Sequence, residues 1–312
     1  MSTQAAVATS TTSEIVRAAL IGKRKSRREW LFELVLLLAL LFGLAVLLTL
    51  LVDVWQEGRS VITTRGSDFL TSNLSSIPER AGIRQGLFGS VMLMGFVVVL
   101  ALPLGIAAAI YMEEYARDTR VTRFINANIR NLAGVPAIVY GILGLQVFVL
   151  LMKNVTGGRS LMSGGLTMAI LVLPIAIITS AEAIRTVPYS IREAGYGVGA
   201  TRWEVVRSHV LPYAAPGVFT GTILTLSRAI GETAPLLMIG AVTGFFASPD
   251  AGFVATLQDK YTALPTIIYT WARRSQRAFG NDTAAAILVL LGLMLAINAV
   301  AILLRNRYER KW

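Results

Sequence analysis

Two ionisable side chains stand four residues apart inside an apolar run: Arg228 and Glu232, within SRAIGETAPLL at 227–237. A charge near the middle of a bilayer costs at least about 2.5 kcal/mol on insertion scales, so a chain keeps one there for pairing or for a path. At i and i+4 on a helix the two side chains share a face and can pair, although Glu before its basic partner is the better order. Pro235 cannot donate to the carbonyl of Gly231, which leaves a free acceptor and a bend beside Glu232. Broken helices at mid-membrane line binding sites or paths. Two chemistries follow. In one, the residues form a buried ion pair that holds helices together. In the other, Arg228 is the cation of an anion path and holds a tetrahedral oxyanion by charge-assisted bonds. Glu232 then repels the anion unless it is paired or protonated, so the two residues form a gate, neutralised when closed and separated when cargo passes.

Other chemistry finds little support. No GxxxxGK[ST] occurs, so ATP binding by a P-loop is not expected and energy must come from a partner chain. There is no Cys, which excludes disulfides, thiolate metal sites and Cys nucleophiles. The sole His, His209, lies at a membrane edge with no ladder of carboxylates, and reads as an interfacial residue rather than a metal ligand. The acidic residues are scattered over loops. No catalytic residue, metal or cofactor is expected.

The elements that must position Arg228 and Glu232 are membrane helices. Of the 312 residues, 54% are hydrophobic and 15% charged, and the mean hydropathy is +0.63, too apolar for a soluble domain. A spanning helix takes about 20 apolar residues. Six runs qualify: 31–52, 87–112, 132–152, 166–182, 213–244 and 284–304, the fourth interrupted by Pro174. The expected fold is therefore all-α and integral to the membrane. Six spans leave both termini on one side. The N-terminus, 113–131, 183–212 and the C-terminus together hold 18 of the 29 Lys and Arg residues, which assigns them to the cytoplasm. Basic clusters beside the first and last spans account for the net charge of +11 through topology and anionic lipid, and no aromatic-rich basic stripe points to nucleic acid.

The cytoplasmic loop 188–212 has its own local logic. Pro188 suits a first helical position. Gly195, Gly197 and Gly199 each weaken a helix by about 1 kcal/mol relative to Ala, which favours a turn. Thr201 and Glu204 have the spacing of a capping box, so a second short helix is expected from Arg202 to about Leu211, ahead of Pro212, with Trp203, Val206 and Val210 on one face. From these features alone the loop is either a capped connector or a docking element.

REAGYGVGATRWEVVRSHVLP at 192–212 resembles the EAA loop of ATP-binding-cassette importer permeases, through Glu193, Ala194, Gly199, Leu211 and Pro212. Gly195 stands where a second Ala is usual, and His209 where an Ile is common. RAIGETAPLL at 228–237, together with ALPTIIYTW at 263–271, is similar to the PstA-type permease of the bacterial phosphate-specific importer, and the similarity covers about 85–302. The resemblance implies a type I importer permease fold in the bacterial plasma membrane. It also implies a PstC-like sister permease, two copies of an ATPase subunit and an extracytoplasmic phosphate-binding protein as partners. By the same resemblance Glu193 anchors the loop or its contact with the ATPase, Gly199 permits the turn, and Leu211 and Pro212 end the second helix. An importer for molybdate, sulfate or phosphonate shares the EAA loop and could use Arg228. A non-transporting membrane scaffold or sensor subunit would make the charged pair structural.

The remaining segments complete the expected domain plan. Residues 1–30 are a disordered, basic cytoplasmic N-terminus, 31–52 the first span, 85–304 the permease core and 305–312 a cytoplasmic tail. Residues 53–86 are expected as an outer loop without a folded domain. A bend is expected at Asn131, Gly134 and Pro136, and a turn at Gly157, Gly158, Gly164 and Gly165. Around Pro265, Ile268, Tyr269 and Trp271 the pattern fits a helix lying at the outer membrane surface, or an ordinary loop with interfacial aromatics.

Overall fold

Residues 27–241 and 252–308 are described by a computed structural model. The chain divides into two compact units, 1–53 and 54–312. The expected disordered segment lies outside the described residues as far as residue 26, as do 309–312 of the tail. All regular structure among the described residues is helical.

Helix α1 spans Arg27–Thr71. Residues 53–71 were expected to be loop. They are helical because nothing in them stops the helix: they contain no Pro, and Pro78 is the first beyond. The loop expected there thus shrinks to 72–83. Helix α2, Arg84–Tyr115, crosses next and contains two π-helical stretches, Val97–Ala101 and Tyr111–Tyr115. The first lies just ahead of Pro103. A wider turn draws the carbonyl four residues back away from the proline ring, so the helix continues without a break.

Helix α3, Arg120–Ala133, begins at Thr119, whose hydroxyl accepts from Thr122 N–H at 3.2 Å. It meets helix α4, Ala137–Leu151, at 101°. The bend falls at the expected Gly134 and Pro136, and Tyr140 Oη pins it by donating to Leu132 O at 2.9 Å. Gly157 and Gly158, at φ +80° and +81°, make the turn that follows. Gly164 and Gly165 do not. They lie inside helix α5, Leu161–Arg185, where they admit the Tyr261 phenol and the Phe96 ring.

Helix α5 is the centre of the bundle, in contact with α2, α3, α4 and the long helix α7, Arg202–Gly231. Between α5 and α7 lies the short helix α6, Tyr189–Gly197. The chain then runs through α8, Ala234–Ile239, α9, Gly252–Gln258, α10, Leu264–Ala272, and α11, Arg277–Tyr308. Helices α1, α2, α5, α7 and α11 are each long and apolar enough to cross a membrane, and the bent α3/α4 pair brings the number to six.

The helix at Pro265 forms, with the proline in its first turn, and it is exposed at Tyr269 but buried along its other side. Leu264, Ile267 and Trp271 are buried. The Trp271 ring sits between Phe69 and Phe279, with centroids 6.3 and 5.7 Å away. Tilted aromatic pairs add about 0.5–1.5 kcal/mol each beyond the area they bury.

Candidate functional site

The loop between α5 and α7 folds as a helix, a turn and a second helix. Pro188 stands one place ahead of the expected first helical position, at the residue before α6, and Gly195 faces the second helix so closely that a Cβ there would lie 2.7 Å from Val205 Cγ2. The turn is at Gly199, whose φ of +83° suits glycine and strains other residues. Thr201 and Glu204 form the expected capping box: Glu204 Oε2 accepts from the Thr201 N–H at 2.7 Å, and Thr201 Oγ1 accepts from the Glu204 N–H at 3.4 Å.

The second helix does not end at Leu211 and Pro212. It passes through a π-helical stretch, Val206–Val210, and continues to Gly231, so loop and spanning segment are one helix. Pro212 follows this wide turn just as Pro103 follows the one in α2, and the missing donor is tolerated for the same reason. The apolar face also differs from expectation. Val205, Val206 and Val210 are fully buried, while Trp203 is exposed. With Tyr189, Tyr196 and Val198, the last 85% exposed, Trp203 gives the loop an apolar outer rim. Glu193 and Ala194 are exposed on α6.

Sequence reading missed the residues that fix this loop to the bundle. Glu113 and Glu114 end α2 and point in different directions, as consecutive helical residues must. Glu113 pairs with Arg185 at the end of α5. Glu114 accepts from Arg192 of α6, with Nη2 to Oε1 at 2.6 Å and Nε to Oε1 at 3.1 Å. This second pair is buried, with the Glu114 side chain 4% exposed and that of Arg192 13%. Arg202 adds a third link by stacking 5.5 Å over the Tyr115 ring. The available signal was the tandem Glu at the end of an apolar run, facing a basic loop.

The charged pair sits at a break. Arg228 lies in the last turn of α7, and Glu232 caps that helix in an extended conformation. Arg228 Nε is 3.4 Å from Glu232 Oε1, and their side chains are 45% and 21% exposed. The pair joins neighbouring points of one segment, so it does not hold two helices together. Pro235 enters the first turn of α8, where its missing donor costs nothing, and the bend falls at Glu232 and Thr233. Two contacts hold the break open. Pro235 lies against Gly141 of α4, where an added Cβ would be 2.7 Å from Pro235 Cα. Ser227 Oγ, next to Arg228, bonds Asn298 Oδ1 of α11 at 3.0 Å.

Residues 101–312 match the family model described as "Binding-protein-dependent transport system inner membrane component". Among curated proteins, the chain is 36% identical over 176 residues to the probable ABC transporter permease protein YqgI of Bacillus subtilis, covering 56% of this chain and 58% of that one. It is 32% identical over 246 residues to the phosphate transport system permease protein PstA 1 of Mycobacterium tuberculosis, covering 78% of this chain and 76% of that one. It is also 32% identical over 297 residues to the phosphate transport system permease protein PstC of Mesorhizobium japonicum, covering 88% and 85%. Among solved structures, the bacterial alginate ABC transporter in complex with its pentasaccharide-bound periplasmic protein superposes with a TM-score of 0.65 at 15% identity, over 88% of this chain and 93% of that one, which speaks to the fold alone. From its apolar bundle and these matches together, the chain belongs to the binding-protein-dependent transport system inner membrane components and is a multi-pass permease subunit of an ABC importer.

Proposed function

We propose that this permease carries inorganic phosphate, driven by ATP hydrolysis on a separate partner chain, through alternating access of a path that includes Arg228 and Glu232. The observation that carries the reading is the Arg228 guanidinium, half-exposed at a broken helix and paired with Glu232 on the same segment. A guanidinium so placed gives a tetrahedral oxyanion charge-assisted, geometrically matched donors once Glu232 moves aside. The similarity of RAIGETAPLL to PstA-type permeases, and relatives named as phosphate permeases, favour phosphate over sulfate or molybdate.

The loop 188–212 is the coupling element. Glu193, Ala194 and the apolar rim contact the ATPase, and Gly199 sets the angle between the two loop helices. Leu211 and Pro212 carry displacement into α7, since that helix is continuous through them. The complex contains a PstC-like sister permease, an ATPase dimer and an extracytoplasmic phosphate-binding protein, and both termini are cytoplasmic.

Radiolabelled phosphate uptake in cells lacking their own A-type permease, with this chain supplied intact or as Arg228→Gln, tests the reading. Uptake by the unmodified chain, chased by unlabelled phosphate and not by sulfate or molybdate, supports it. Chase by sulfate or molybdate instead would move the chain to another oxyanion.

A further inference from the structure

The Arg192 guanidinium does more than pair with Glu114. Its Nη1 donates to Val187 O at 2.8 Å and its Nη2 to Ile184 O at 3.2 Å, while Nε and Nη2 both reach the Glu114 carboxylate. One side chain therefore ties three elements: the end of α2, the last turn of α5 and the loop helix α6. Val187 lies in the stretch 186–188 that joins α5 to α6 and Ile184 in the last turn of α5, so the same fork fills the hinge about which α6 would otherwise pivot. On the other side of that hinge Glu113 holds Arg185. Opening the Arg192 contacts would leave a carboxylate and a guanidinium without partners in a largely buried site, which is strongly disfavoured.

We propose that Arg192 and Glu114 are positioning residues that make α6 and the inner ends of α2 and α5 one rigid body, so that a push on the loop becomes movement of those two spanning helices. The idea rests on the coupling role given to the loop above. Without the clamp, a force on α6 rocks the loop about residues 186–188 and is lost. The fork geometry matters, because three separate acceptors are engaged at once, which a point charge does not reproduce.

The experiment uses the complex assembled with its ATPase, sister permease and binding protein. The native chain has no Cys, so spin labels at Ser190→Cys on α6 and Leu104→Cys on α2, both exposed, report the distance between the two helices. With Arg192 intact, that distance should be the same in the nucleotide-free and ATP-trapped complexes. With Arg192→Met it should change on ATP binding, and phosphate taken up per ATP hydrolysed should fall roughly tenfold while hydrolysis continues. Arg192→Lys should fall between the two. Should Arg192→Met fail to assemble, Glu114→Gln, which keeps the shape, carries the same comparison. An unchanged distance in the assembled variants overturns the clamp, whether uptake per ATP holds or falls together with hydrolysis. If the unmodified complex moves no phosphate at all, the proposed cargo fails, yet the distance measurement still decides the clamp.

Discussion

Pro235 lies against Gly141, with so little room that a single added methyl on Gly141 would come within 2.7 Å of the proline Cα. The contact sets α8 on α4 just past the break that exposes Arg228 and Glu232, so the geometry of the charged pair depends on a glycine in a different helix. Gly141→Val should push α8 away, at a cost of about 1–3 kcal/mol for overpacking. A lower melting temperature of the purified complex, together with reduced uptake and unaltered ATPase assembly, is the expected result. Normal uptake in this variant would mean that the break tolerates displacement.

Arg228→Gln removes the charge and the fork but keeps a polar side chain. Charge-assisted hydrogen bonds contribute about 1.5–3 kcal/mol, so uptake should fall roughly 10- to 100-fold while the complex still assembles. Uptake and assembly measured on the same membranes separate this from misfolding. Glu232→Gln should behave differently, since it relieves repulsion of an anion and at the same time unlocks the closed gate. It should leak cargo without hydrolysis, and tight coupling in that variant would contradict the gate.

How much of this was legible in the sequence differs from element to element. The six apolar runs, the bend at Gly134 and Pro136 and the capping box at Thr201 and Glu204 were readable because each depends on a local pattern: hydrophobic length, chain-breaking residues, or a spacing of three. The long α1, the continuity of α7 through Pro212 and the burial of α10 were not. A π-helical turn lets a proline sit inside a helix, and nothing in Val206–Val210 announces one. Burial of Trp271 depends on Phe69 and Phe279, which lie far from it or across a turn in sequence. The Arg192 to Glu114 pair joins residues 78 positions apart, so no spacing rule could find it.

Gly199 has open space around its Cβ position, so a substitution there meets no neighbour and acts only through its φ of +83°. Gly199→Val should therefore strain the turn by about 1–2 kcal/mol and change the angle between α6 and α7 rather than the packing. ATP hydrolysis should continue with uptake per ATP reduced. Full coupling in this variant would show that the turn angle does not matter.

Thr201→Ala deletes one half of the capping box, and loss of such a cap costs about 1 kcal/mol. The start of α7 should fray, and hydrogen exchange at the amides of Glu204 and Val205 should speed up about fivefold, which is that energy expressed as an equilibrium constant. If exchange there is unaffected, the cap does not hold the end of the helix.

Near the end of α1, Arg65 donates to Pro78 O at 2.8 Å and to Ala81 O at 2.6 Å, and approaches the buried Asp282 Oδ1 at 3.4 Å. Arg65→Met strands that carboxylate and frees the segment after α1. Breaking a buried pair costs about 3–5 kcal/mol, and the partly exposed Arg65 puts the expected loss below that range, about 2–3 kcal/mol after allowing for solvent screening. Thermal unfolding of the detergent-solubilised complex measures it. Arg65→Met/Asp282→Asn should recover part of the loss, and no recovery would assign the effect to the carbonyl contacts alone.

The most direct measurement is phosphate transport by the purified complex in proteoliposomes, with ATP supplied on the ATPase side and the binding protein on the other. Labelled phosphate should accumulate only with ATP and binding protein present, should resist competition by sulfate and molybdate, and should be lost with Arg228→Gln. Accumulation that survives Arg228→Gln, or an assembled complex that hydrolyses ATP yet moves another oxyanion in place of phosphate, would contradict the account.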